Sequence, residues 1–122
     1  MYTFNQENKF INEEFLYEDT IENCLETYKR CKEMMNYEMN LENPRISGKE
    51  INEILECAEI CCATVACLIS RSNFANELAA ICSKVCNQCK ESQMKIAEDD
   101  DRILEFIQTL DICSNLCKTV DF

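Results

Sequence analysis

A chain of 122 residues with 47% hydrophobic content is long enough to form one domain with a real core and no disulfide staples. Its formal net charge of −11 argues against nucleic acid as a partner, because phosphate binding needs clustered Lys and Arg, and it favours the attraction of cations. No apolar run approaches the roughly 20 residues of a membrane span.

The start, Met1 to Lys9, lacks the basic and apolar regions of a secretory signal. Eleven cysteines in a secreted chain would read as a disulfide scaffold, but an odd count leaves one thiol over. A reduced, cytoplasmic, thiol-bearing protein is therefore expected. One Gly, one Pro and no strand-like alternation make the fold all-α.

Residues 1–18 form a polar arm with Phe4, Ile11 and Phe15 at helical spacing. It reads either as a short helix on the bundle or on a neighbouring subunit, or as a frayed extension. Over residues 19–122 the pattern predicts four amphipathic helices. The first opens at Asp19, with Glu22 completing a capping box, and turns Ile21, Cys24, Tyr28, Cys31, Met35 and Met39 inward until Asn43 and Pro44 stop it. Ser47 and Glu50 form a second capping box, opening a helix with Ile54, Cys57, Cys61, Thr64 and Leu68 on one stripe. Cys62 and Cys67 fall off that stripe on opposite flanks.

Ser72 or Asn73 is expected to cap the third helix, whose inner face carries Ala75, Leu78, Ala79, Cys82, Cys86, Cys89 and Gln93. Acids from Glu98 to Asp101 favour the N-terminal end of a fourth helix, which presents Ile103, Phe106, Leu110, Cys113 and Cys117. Three short connections make this an antiparallel up-down-up-down four-helix bundle.

At about 1.5 Å of rise per residue, Cys24 and Cys117 come lowest in such a bundle. Cys67, Cys113 and Cys82 follow, then Cys61, Cys31 and Cys86, with Cys57 and Cys89 above them. With Cys67 set aside as off its stripe, nine inward thiols form a column. Residues four apart on a helix have Cβ atoms roughly 5–6 Å apart, too far for a relaxed disulfide but suited to sharing a soft ion. Met34, Met35, Met39 and Met94 fall in the other half, as relay ligands or as core filler.

Thiolate ligation without any histidine points to Cu(I), zinc or an iron–sulfur cluster. The single Cys-x-x-Cys, Cys86 to Cys89, sits in a helix without the second pair of a zinc knuckle or the βαβ context of a redox motif. An iron–sulfur cluster needs four thiols at one point, which a column of pairs does not supply. Free cysteine is also a small buried hydrophobe, but nine on inner faces exceed what packing asks for. No Cys–His pair or phosphate-binding glycine loop suggests an enzyme.

Cys57-Ala-Glu-Ile-Cys61, the gap to Cys82, Cys82-x3-Cys86-x2-Cys89 and Asp111-Ile-Cys113-Ser-Asn-Leu-Cys117 resemble the bacterial copper storage proteins from about Thr20 onward. The resemblance implies a cytoplasmic, homotetrameric store binding several Cu(I) ions through Cys24, Cys31, Cys57, Cys61, Cys82, Cys86, Cys89, Cys113 and Cys117. Where that family carries further cysteines this chain has Tyr28, Gln93, Ile103, Phe106 and Leu110, and it has none of the histidines of the pore mouth. Lower capacity is the expectation. A zinc or cadmium buffer and a structural or redox-sensing bundle remain as alternatives.

Overall fold

In the computed structural model two of the four helices open on a local side-chain cap. The structure describes residues 4–121, with side chains from Tyr17 onward. It contains α1 (Phe4–Met39), α2 (Gly48–Ser70), α3 (Ala75–Ile96) and α4 (Asp101–Lys118). At α2 the capping box is present: the Ser47 hydroxyl pairs with the Glu50 carboxylate, which also accepts from the Ser47 amide. Arg71, at φ 54°, closes α2 in a left-handed conformation. At α4 Asp100 is the N-cap and accepts from the amides of Arg102 and Ile103.

Two expected boundaries differ. α1 runs unbroken through Asp19, so no capping box opens a helix there. The side chains of Phe4, Ile11 and Phe15 lie outside the described residues. At α3 the N-cap position is Phe74, which has no side-chain cap; Ser72 instead accepts from the Phe74 amide and shapes the turn before the helix.

In the bundle, α1 packs on α2 and α4, and α3 packs on the same two helices, so α1 faces α3 across a diagonal. Short connections make neighbours antiparallel. The core half near the α1–α2 and α3–α4 connections is filled by Ile54, Ile103, Phe106 and Leu110, all at most 1% exposed. Burying each contributes about 1.5–3 kcal/mol, enough to hold that half together by apolar packing alone. The other half is sulfur. Among the described residues no helix is long and apolar enough to cross a membrane.

α1 is rotated from its expected setting. Its buried stripe reads Tyr17, Thr20, Cys24, Thr27, Cys31, Met34 and Glu38, while Ile21, Tyr28 and Met35 sit at the margins and Met39 is 56% exposed. The stripe keeps a 3,4 alternation throughout, which supercoiled bundle packing requires. Thr27 tolerates burial because its hydroxyl donates to the Asn23 carbonyl one turn back. Met94 also points outward, leaving Met34 as the buried thioether of the four considered.

Candidate metal centre

Spacing along each helix decides which thiols can meet. Cys24 and Cys31 lie two turns apart on α1, Cys57 and Cys61 one turn apart on α2. Cys82, Cys86 and Cys89 follow one another on α3, and Cys113 and Cys117 on α4. All nine are at most 1% exposed, and all eleven cysteines are free thiols. Cys62, off the α2 stripe, is exposed, and Cys67 is half-buried.

The shortest sulfur contacts cross between helices. Cys57 Sγ lies 3.6 Å from Cys86, Cys61 lies 3.7 Å from Cys82, and Cys24 lies 3.7 Å from Cys117 and 3.8 Å from Cys113. Within one helix, Cys82 and Cys86 are 4.0 Å apart. None of these is near a bond length, but all suit an ion between sulfurs. A metal–sulfur bond of about 2.3 Å puts the edge of a sulfur tetrahedron near 3.8 Å and a linear S–metal–S span near 4.6 Å.

The expectation of separate pairs needs correcting. Cys24, Cys82, Cys113 and Cys117 converge with all sulfurs within 4.8 Å of one another, and Cys61, Cys82, Cys86 and Cys113 form a second such quartet. Cys82 and Cys113 belong to both. The physical reason is that antiparallel helices interleave their thiols at shared heights, so a stripe on one helix fills the gaps of the next. Helical periodicity along one segment does not reveal this.

Protonation follows the same connectivity. Neighbouring thiols, Cys31 foremost and then Cys61, Cys86 and Cys89, lower Cys57 below the ordinary thiol range, and of these Cys86, at 3.6 Å, is in hydrogen-bond contact with it. Cys113 is likewise lowered by Cys117, Cys24, Cys61 and Cys82. Cys82 is lowered as well, with Cys113 opposing and Cys117, Cys24 and Cys61 lowering it, whereas Cys31 is raised chiefly by Cys57 and Cys117 chiefly by Cys113. Sulfur contacts within 4 Å and the two quartets join Cys24, Cys57, Cys61, Cys82, Cys86, Cys113 and Cys117, whereas Cys31 and Cys89, equally buried in the column, have no such contact among the described residues. Such a set can bind soft cations, releasing protons as it does so.

A sequence model of the copper storage proteins matches residues 13–121. The chain belongs to the copper storage protein family. No curated protein matches it at a significant level. Among solved structures the fold is similar to that of Cu(I)-bound copper storage protein BsCsp3, with a TM-score of 0.78 and 24% identity over 85% of this chain and 96% of that one. The matched region of this copper storage family member contains all four helices' described side chains and every thiol of the column.

Sequence reasoning missed one interior residue beside this centre. Glu38 is fully buried on α1, in the same stripe as Cys24 and Cys31. Extending those two cysteines by alternating steps of three and four reaches it, but a search for apolar residues passes it over.

Proposed function

We propose that this chain is a cytoplasmic store that holds several Cu(I) ions along its core without chemical turnover. The ligands are Cys24, Cys31, Cys57, Cys61, Cys82, Cys86, Cys89, Cys113 and Cys117. The observation that carries this is the pair of buried thiol quartets sharing Cys82 and Cys113. A sulfur that belongs to two quartets bridges two ions, so the site suits a chain of adjacent monovalent ions better than isolated closed sites. Monovalent charge also suits the arrangement, since neighbouring ions repel less than divalent ones would at the same spacing.

Titration of reduced protein with Cu(I) against a competing chelator tests the proposal. Uptake of several ions per chain, with proton release and weaker binding as pH falls, is expected; uptake below one ion per chain overturns it. The quartet edges also fit tetrahedral zinc, so the same titration with Zn(II) and Cd(II) in competition is informative. Cu(I) should displace both. By family resemblance the assembly is a homotetramer, and exposed apolar side chains such as Ile69 and Phe74 provide surface for it to bury. A solution mass equal to one 14.2 kDa chain would remove that part.

A further inference from the structure

The two ends of the sulfur column are closed by different chemistry. Beyond Cys24 and Cys117 lie Leu68, Ala75 and Val120, with the Tyr17 hydroxyl donating to the Asp121 carbonyl at 2.8 Å. Beyond Cys89 the core holds Glu38 of α1 and Gln93 of α3, 0% and 1% exposed. Because α1 and α3 are diagonal, these two side chains approach across the middle of the bundle. The Gln93 carboxamide lies beside the Glu38 carboxyl and influences its proton affinity, yet outside good hydrogen-bond geometry. Among the described residues, neither carboxylate oxygen of Glu38 and neither amide atom of Gln93 has a hydrogen-bond partner.

A buried polar group left unpaired destabilises the fold, and here four atoms are unpaired in a core that leucine would fill. In native structures such groups mark strain, a functional role, or a water or ion held between them. Gln93 stands one turn beyond Cys89, and the Glu38 charge acts on the Cys89 thiol together with that of Glu53. Burial pushes the Glu38 carboxyl up to about 7, Arg45 opposes this, and Asp100 and Glu50 add to it. Arg45 itself is paired with Asp100 at 2.7 Å. The acids around the pair give it the negative surroundings that draw a cation.

We propose that Glu38 and Gln93 form an oxygen-donor station at the end of the thiol column, holding one Cu(I) together with the Cys89 thiolate. The inference rests on the copper reading above. Carboxylate and carboxamide oxygens are hard donors and hold a soft ion weakly, whereas thiolates hold it tightly. The station is therefore the weakest position in the column, and an ion there passes readily to Cys89 and the sulfurs beneath. Its polar atoms are retained at a cost in stability because they hold this ion.

The test compares wild-type protein with E38L/Q93L, each reduced and dialysed to saturation against Cu(I) supplied as its acetonitrile complex, with bound copper counted at equilibrium. The double variant should take up about one fewer Cu(I) per chain at saturation, since only the oxygen-held ion is lost. Copper X-ray absorption of fully loaded wild type should show a light-atom scatterer that the variant lacks. Melting of the metal-free variant at or above the wild-type temperature excludes misfolding as the cause, because the substitution removes unpaired buried groups. Equal copper uptake, or sulfur-only scattering in wild type, overturns the station and leaves the storage reading standing. Wild type that takes up no Cu(I) overturns both.

Discussion

Two cysteines, Cys82 and Cys113, carry more of the site than their neighbours because each is a corner of both quartets. Cys113→Ser should weaken Cu(I) retention at least about tenfold, the scale already reached when only an outer-shell partner of a metal ligand is lost. Competition with a chelator measures it. Cys62→Ser is the matching control: that thiol is exposed and outside the network, so copper retention should not change. At this scale the nine inward thiols could be named from helical spacing. Their grouping could not, because it depends on the relative heights of residues on different helices.

The helices show where local sequence is sufficient. Ser47 and Glu50 open α2 by pairing within four residues, so no tertiary contact is needed to recognise that start. Asp100 does more than cap α4. It also accepts from the Tyr37 hydroxyl at 2.8 Å and pairs with Arg45, tying α1 and the α1–α2 connection to the start of α4. Asp100→Ala should lower the stability of the metal-free protein by about 1–2 kcal/mol, in the range of a lost N-cap, as read from urea unfolding. α1 is the opposite case. Two stripes share Cys24 and Cys31, and the more apolar one, through Ile21, Tyr28 and Met35, is not the buried one. Contact with α2 and α4 selects the stripe with unbroken 3,4 spacing, although it brings Thr20, Thr27 and Glu38 inside.

For the whole molecule, the division into an apolar half and a sulfur half separates folding from loading. Ile54, Ile103, Phe106 and Leu110 do not depend on metal, so the reduced, metal-free chain should already show full helical circular dichroism. Ions that bind the folded state then add stability by mass action, about 2.7 kcal/mol for each site held at a hundredfold excess over its dissociation constant. Thermal unfolding should shift upward with Cu(I) and return when a strong chelator removes it.

The all-α class, the number of helices in the bundle and the inward direction of nine thiols were determined by the sequence alone, since hydrophobic and cysteine periodicity at 3.6 residues is a property of each segment by itself. The choice of stripe on α1, the convergence of thiols into quartets and the meeting of Glu38 with Gln93 were decided only in the tertiary structure. Each depends on how one helix is rotated and raised against its neighbours, and that setting comes from the packing of all four together rather than from the residues of any one.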